Sequence, residues 1–369
     1  MIISRTPFRV SFVGGGTDYP VWYERNGGAV LSTTIDKYCY ISCRCLPPFF
    51  DYKHRIVYSN TEHINEIDEI AHPSVREVFR FMNIKEGLEI HHDGDLPARS
   101  GLGSSSSFTV GLLHALYALK GRMVTKKRLA LEAIHIEQEM IRENVGSQDQ
   151  VAVAFGGLNK IEFNGNHNIE VRPITVRESR LQELQDHLML FFTGFTRIAS
   201  EVAKDKISQI PKRSSELCAL RDMVDESVNI LNSDDDLIGF GNILHESWKI
   251  KKSLADGVSN SNIDNIYEEA IKAGAIGGKI LGAGGGGFIL FFVKPEDKRI
   301  VRHALSSLLY VPFRFDKTGS QIIYYSESKV AYPQSGEQLK IRELPAESQG
   351  LFKKDASYDK EELTVKGSS

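Results

Sequence analysis

Leu96-Pro-Ala-Arg-Ser-Gly-Leu-Gly-Ser-Ser-Ser-Ser-Phe-Thr-Val-Gly111 decides how the rest of this chain is read. Before it, Leu88–His92 has the pattern of a strand, and Pro97 stops that strand from continuing. After it, Phe108–Leu119 is apolar at helical spacing and ends near Gly121. Gly101 and Gly103 permit positive φ and close approach of the backbone to a ligand. Ser104, Ser105, Ser106 and Ser107 open the helix, where unpaired N–H groups and the positive end of the dipole point outwards. Such a terminus is an anion site suited to nucleotide phosphates, and its hydroxyls can also reach a phosphate-bound cation. A Gly/Ser linker is the plainer alternative, but a linker does not run straight into a strongly apolar helix. No lysine follows these glycines as it does in G-x-x-x-x-G-K-[ST], so the stretch is not a Walker A loop.

A second glycine turn lies upstream. A strand over Ile2–Phe12, interrupted at Pro7, feeds Val13-Gly-Gly-Gly-Thr-Asp-Tyr-Pro20. Gly14, Gly15 and Gly16 would bring backbone N–H groups to a small ligand; Asp18 either accepts from its hydroxyls or caps a tight hairpin turn. Strands are predicted over Gly28–Thr34 and Lys37–Leu46, a loop and then a strand within Pro47–Ser59, and a short amphipathic helix after Pro73. The next helix is predicted from Thr125, a plausible N-cap, to Asn144, with Gly146 as terminator. Leu129, Ala130, Ala133, Ile134, Met140 and Ile141 form its apolar stripe, and Glu137 falls inside that stripe. A carboxylate on a core face requires a partner, either a bound Mg²⁺ or an arginine or backbone N–H. Asp149, in Asn144-Val-Gly-Ser-Gln-Asp-Gln-Val-Ala-Val-Ala-Phe-Gly-Gly157, is either a cap or a carboxylate positioned for a substrate hydroxyl. Leu158–Phe163 and Ile169–Pro173 read as a hairpin about Asn164-Gly165-Asn166.

A boundary is expected near Thr175–Asp186, followed by a strand over His187–Thr193. Helices are expected around Ile198–Gln209, Pro211–Asn232, Leu237–Ser253, Asn262–Ala273 and Glu296–Leu309, and a final strand over Gln321–Ser326. A third glycine loop, Gly277-Gly-Lys-Ile-Leu-Gly-Ala-Gly-Gly-Gly-Gly287, precedes the apolar strand Phe288–Val293. Gly282, Gly284 and Gly287 match G-x-G-x-x-G, but a dinucleotide fingerprint follows a strand and opens a helix, whereas these glycines precede a strand. A loop approaching substrate or phosphates across a domain cleft fits better. The pattern implies an α+β chain with domains at 1–180 and 181–330 and a polar, flexible tail at 331–369.

The 369 residues allow two ordinary domains, and 41% hydrophobic with 25% charged residues is the composition of a globular protein with a sizeable core. A net charge of −3 gives no electrostatic reason to expect nucleic acid or an anionic membrane as partner. No apolar run is long enough to span a bilayer, and the N-terminus lacks the regions of a signal peptide, so a cytoplasmic location is expected. Cys39, Cys43 and Cys45 share one face of a strand; buried reduced thiols explain them better than a metal site, since no standard zinc spacing is present.

The three glycine motifs in this order resemble the GHMP small-molecule kinases. Thr6-Pro-Phe-Arg-Val-Ser-Phe-Val-Gly-Gly-Gly-Thr-Asp-Tyr19 is similar to the opening motif of the family's sugar kinases, Pro97–Ser107 to its ATP-phosphate loop and Lys279–Phe288 to its third motif. Asn144–Gln150 resembles the segment that carries the family's catalytic Asp. Within the family the likeness is to the group acting on D-glycero-D-manno-heptose 7-phosphate, which Phe192-Thr-Gly-Phe-Thr-Arg197 also resembles; Gly-Gly-Gly in place of the Gly-Glu-His of galactokinases argues against galactose. The resemblance implies a domain like ribosomal protein S5 domain 2, a ferredoxin-like C-terminal domain and an active site between them. It implies ATP and Mg²⁺ as cofactors and phosphorylation of a sugar phosphate at its C1 hydroxyl. It makes Asp149 and Arg9 catalytic, gives Gly101, Gly103, Ser104, Ser105 and Ser106 to the ATP phosphates, and gives Ser105 and Glu137 to the metal, with Glu139 as the carboxylate of a shifted register. It places Gly15, Gly16, Thr17, Asp18, Gly284, Gly285 and Gly286 on the substrate, and leaves Arg44, Arg99, Arg197 and Lys204 as cations for the 7-phosphate. A kinase for another sugar, such as fucose, and a non-catalytic sugar sensor on the same fold are the alternatives.

Overall fold

Two antiparallel-rich sheets organise the chain, each covered by helices. The structure, a computed structural model, describes residues 1–98, 100–165, 168–194, 203 and 207–326. The strands in chain order are β1 (Ile2–Val13), β2 (Gly28–Cys45), β3 (His54–Val57), β4 (Thr61–Ile64), β5 (Leu88–Gly94), β6 (Asn159–Asn164), β7 (Asn168–Pro173), β8 (Leu188–Phe192), β9 (Ala275–Ile280), β10 (Phe288–Val293), β11 (Leu309–Tyr310), β12 (Phe315–Asp316) and β13 (Gln321–Tyr325). The first sheet runs β13-β1-β2-β5-β3-β4, with β6 and β12 on other stretches of β2 and β7 beside β6. The 18-residue β2 pairs with β1 along most of one edge; its other edge is divided among β6 (Gly28–Ser32), β12 (Thr34 and Ile35) and β5 (Cys39–Cys45).

The two strands expected over Gly28–Thr34 and Lys37–Leu46 are therefore one strand. Pro7 does not interrupt β1 either. The strand passes through it, and the register with β2 shifts between Pro7 and Phe8, the irregularity at which a residue without an N–H is tolerated. Pro20–Asn26 is a helix with proline at its first turn, where the missing N–H costs no hydrogen bond. The helix Ser104–Leu119 packs its apolar residues on β1 and β2, and the Ser4 hydroxyl donates to the Gly111 carbonyl at 2.8 Å. Cys39 and Cys43 are buried free thiols of β2, and burial pushes both well above the usual thiol range.

The second sheet has the order β11-β8-β10-β9, all neighbours antiparallel. The helices Ser214–Asn232, Ile238–Ser253 and Ser261–Lys272 lie between β8 and β9, and Lys298–Ala304 lies between β10 and β11. This is the β-α-β-β-α-β succession of a ferredoxin-like layer. The expected boundary at Thr175–Asp186 carries the helix Glu178–His187, and the glycine loop is preceded by a strand of its own, β9. Most of the expected helix Ile198–Gln209, together with Asn166, Arg99, Arg197, Lys204 and the segment 331–369, lies outside the described residues. β13 does not stay with the second sheet but returns to β1, where Ile2 pairs with Tyr325. No helix among the described residues is long and apolar enough to cross a membrane.

Aromatic rings join the two layers. Phe12 of β1 meets Phe240 edge-on at 5.4 Å and Phe315 at 6.3 Å, and Phe240 continues to Phe292 of β10 at 6.2 Å. Phe12, Phe240 and Phe292 are fully buried. Phe240→Ala should therefore lower unfolding free energy by roughly 3–5 kcal/mol in a urea titration. A loss below about 1 kcal/mol would show that the rings do not hold the layers together.

Candidate active site

The phosphate-loop stretch behaves as its residue types require. Gly103 stands at the helix N-terminus in the left-handed region (φ 77°, ψ 26°). A Cβ there would lie 3.2 Å from Arg9 Cγ and 3.6 Å from Asp149 Oδ2, so the loop is laid directly against those two side chains. Arg9, on β1, is 1% exposed. Its Nε and Nη2 donate to Asp149 Oδ1 and Oδ2 at 2.8 and 2.7 Å, and its Nη1 donates to the Gly101 carbonyl at 2.7 Å. Arg9 N also donates to Leu102 O at 2.9 Å. Asp149 stands in the first turn of the helix Gln148–Phe155, and its side chain stays 25% exposed to the cleft. One carboxylate thus has both a bidentate cation and access to a ligand.

The helix predicted over Thr125–Asn144 begins as expected, with the Thr125 hydroxyl accepting from Arg128 N at 3.2 Å. It runs over Lys126–His135, changes to a π-helical turn over Ile136–Met140, and has left the helix by Arg142, whose φ is 63°. π-Turns mark places where one inserted residue redirects a side chain. Here Glu137 is fully buried and Glu139 is exposed, so the apolar stripe identified the inward carboxylate correctly. Glu137 Oε2 accepts from Ser106 Oγ at 3.0 Å and from Gln150 Nε2, while Oε1 is buried without a hydrogen-bond partner. Burial is the chief reason its carboxyl is pushed up to about 7, with the Gln150 contact opposing it.

The hydroxyl that hydrogen-bonds Glu137 belongs to Ser106. Successive helical residues point about 100° apart. Ser106 faces inwards, Ser105 is exposed on the cleft, and Ser107 turns back to the carbonyls of Gly103 (2.9 Å) and Pro7 (3.0 Å).

The upstream glycine turn faces the same space. Asp18 is buried, with Oδ1 accepting from Gly16 N at 2.8 Å and Oδ2 from Gln148 Nε2 at 3.0 Å. Gln148 Oε1 accepts in turn from Ser11 Oγ at 2.8 Å. Burial, then the neighbouring carboxylates Asp18 and Asp149, push the Tyr19 hydroxyl far above its usual range, so it is a neutral phenol. Thr17 is turned away: its hydroxyl donates to Gly14 O and Ala29 O at 2.8 and 2.9 Å and holds the turn rather than the cleft.

Most of these groups line one cleft of about 900 Å³; Glu137 and Thr17 are not among its lining residues. Arg9, Gly15, Gly16, Asp18, Gly101, Gly103, Ser104, Ser105, Ser106 and Asp149 all border it. At one end stand aromatic groups that the sequence reading did not single out. His72 stacks on Phe108 at 4.6 Å, Tyr58 meets His72 edge-on at 4.9 Å, and His92 meets Phe108 at 5.1 Å. Burial pushes His72 down to about 4, so it is neutral at pH 7. From the second layer, Gly282, Ala283, Lys251 and Lys279 border the cleft. Gly284, Gly285 and Gly286 are not among the residues lining it; Gly285 N donates to Val258 O at 2.9 Å, and Gly285 and Gly286 are buried. The glycine loop instead backs the phosphate loop, since a Cβ on Gly282 would stand 2.5 Å from Gly101 Cα. Gln148 lay inside a quoted motif, and only its position in space reveals its part.

Comparison with known proteins agrees with this geometry. The family model for the N-terminal domain of GHMP kinases matches residues 69–157, and that for their C-terminal region matches residues 228–311. D-glycero-alpha-D-manno-heptose 7-phosphate kinase of Campylobacter jejuni is 30% identical over 336 residues, 86% of this chain and 97% of that one. Galactokinase of Pyrococcus furiosus is 26% identical, over 82% of this chain and 92% of its own. A solved structure described as a D-glycero-D-manno-heptose 1-phosphate kinase from Bacteroides thetaiotaomicron has a TM-score of 0.73 at 25% identity, covering 89% of this chain and 100% of that one. Two family models matched in order, and 30% identity across almost the whole of a relative, establish that this chain belongs to the GHMP kinase family.

Proposed function

We propose that this chain transfers the γ-phosphoryl group of ATP to the anomeric C1 hydroxyl of D-glycero-D-manno-heptose 7-phosphate. The product is heptose 1,7-bisphosphate, which would feed nucleotide-activated heptose for surface polysaccharide in the cytoplasm. The observation that carries the reading is the Arg9–Asp149 pair, laid under the helix N-terminus and open to the cleft that also holds Asp18. The C1 oxygen attacks the γ-phosphorus and the bond to ADP's bridging oxygen breaks. Asp149 orients the hydroxyl and takes its proton. Arg9 holds that carboxylate in place and offsets charge developing on the phosphoryl group. The N–H groups and hydroxyls of Gly101, Gly103, Ser104, Ser105 and Ser106 bind the phosphates. The aromatic end around His72 and Phe108 takes the base, and Asp18, with Gly15 and Gly16, takes sugar hydroxyls. Residues 1–180 and 181–330 act as the two lobes. The relatives support a phosphorylated heptose as substrate, although their names put its phosphate on different carbons; the galactokinase likeness keeps a neutral sugar as the second reading.

The residues present fit Mg²⁺. Glu137 offers a buried carboxylate oxygen without a partner, Ser105 and Ser106 add hydroxyl oxygens, and hard oxygen donors few in number suit an ion that keeps several waters. Among the described residues no three His, Cys, Asp or Glu gather as a closed cage. Mg²⁺ held there would neutralise charge on the ATP phosphates.

Two outcomes are expected. Asp149→Asn should lower kcat for ADP release by roughly 10²–10⁴ while ATP binding, followed by calorimetry, persists; a kcat within about threefold of wild type would remove Asp149 from the chemistry. The second concerns pH. A carboxyl raised from 4.5 to about 7 in the folded state keeps its proton where the unfolded chain has lost it. Stability from this group is thus full below pH 4.5 and lost as pH rises through 7. In EDTA, Glu137→Gln should match wild type near pH 4 and exceed it by roughly 3 kcal/mol near pH 8 in urea unfolding. An equal gap at both values would contradict a protonated Glu137.

A further inference from the structure

Gln148 borders the cleft, and the proposed chemistry gives it no part. It opens the helix Gln148–Phe155, one residue before Asp149. Its Nε2 donates to Asp18 Oδ2 at 3.0 Å, and its Oε1 accepts from Ser11 Oγ at 2.8 Å. The two contacts fix which end of the amide is which. A carboxylate oxygen accepts, so the nitrogen faces Asp18, and the serine hydroxyl donates to the carbonyl end. Ser11 lies on β1, two residues after Arg9, so the amide is braced on the strand that also carries the cation of Asp149.

A primary amide has two hydrogens. Asp18 takes one, and no acceptor among the described residues takes the other. Gln148 is half-buried rather than enclosed, and Gly15 stands beside its nitrogen. A Cβ on Gly15 would lie 3.7 Å from Gln148 Nε2 and 3.8 Å from Ser11 Oγ; with glycine there, no side chain occupies that contact. The amide and Asp18 together have chemistry that neither has alone. A sugar hydroxyl is both donor and acceptor. Asp18 takes the hydrogen of a hydroxyl but gives none, and each of its oxygens keeps a lone pair beyond the contacts with Gly16 N and Gln148 Nε2. Gln148 supplies a donor against the same carboxylate. Two hydroxyls on adjacent carbons match this arrangement, one giving its hydrogen to Asp18 and the other accepting from Gln148. A ligand lacking the second would leave the amide hydrogen unmet in a site closed to water.

We propose that Gln148 is a specificity-determining residue, giving its second amide hydrogen to a hydroxyl oxygen of the acceptor sugar beside the hydroxyl that Asp18 accepts from. The inference rests on reading the cleft as a sugar-kinase site. Its test measures Kd for D-glycero-D-manno-heptose 7-phosphate by calorimetry, and KM for ATP by ADP release. The variants are Gln148→Met, which keeps the length of the side chain and removes the donor, Asp18→Asn, and the two combined. Gln148→Met should raise Kd for the sugar roughly 5- to 50-fold and leave KM for ATP within about twofold of wild type. A residue that merely holds Asp18 has nothing left to hold once Asp18 is replaced. In the Asp18→Asn background, Gln148→Met should still weaken sugar binding by at least about threefold. Gln148→Asn, which withdraws the amide by one carbon, should raise the same Kd and supplies the comparison if Gln148→Met does not fold. An unchanged sugar Kd in the single variants, or a double variant no weaker than Asp18→Asn, overturns the assignment and leaves the heptose 7-phosphate reading standing. A wild type that binds a neutral sugar more tightly than the heptose phosphate overturns that reading instead, and the same variants then decide the part of Gln148 on that sugar. A wild type that binds no sugar overturns both.

Discussion

A buried guanidinium has to be surrounded by acceptors, and the acceptors chosen by Arg9 determine much of this architecture. Asp149 supplies two, from a helix 140 positions later in the chain, and the Gly101 carbonyl supplies a third from the phosphate loop. Three segments remote in sequence are thus pinned to one side chain. Taking away any of them would leave a charge without compensation in the interior, which is why such an arrangement tolerates little displacement. The geometry of the candidate chemistry and the stability of the loop are the same set of contacts.

The second layer completes the site by supporting the first. The loop between β9 and β10 lies so close to the phosphate loop that Phe288 N donates to Ser100 O at 3.2 Å, across what would otherwise be two independent surfaces. Small residues on both sides make this approach sterically possible. The glycines of the third motif therefore serve backbone packing more than ligand contact, while Lys251 and Lys279 emerge beside them at the cleft.

The elements legible in the sequence were those with a local physical signature. Ser104–Leu119 announced itself by glycines, serines and apolar spacing, and Glu137 by a charge inside an apolar stripe. The misread elements depended on partners far away. Nothing within Gly28–Cys45 says that it is a single strand, because its continuity comes from pairing with β1, β5 and β6. The π-turn at Ile136–Met140 has no composition signal, and it moved the end of a helix that the sequence pattern placed at Asn144. Which of the four serines meets Glu137 could not be read from the sequence, since a run of four identical side chains carries no phase of its own. Lys251 gave no sign in the sequence, being one lysine among neighbours of the same type on a helix.

β13 has a consequence for how this molecule comes into being. It closes the outer edge of β1, and the amino terminus donates to Ser326 O across a separation of 325 residues. A ribosome makes β1 before the other described strands and its last neighbour, β13, after all of them. Throughout synthesis the growing sheet presents an unpaired strand edge, the kind of surface that invites pairing with other chains. Closure of that edge is the least local contact in the fold, and such contacts are intrinsically slow to form. The strand that carries Arg9 is thus translated before the rest of its sheet and is among the last parts of that sheet to be fully enclosed.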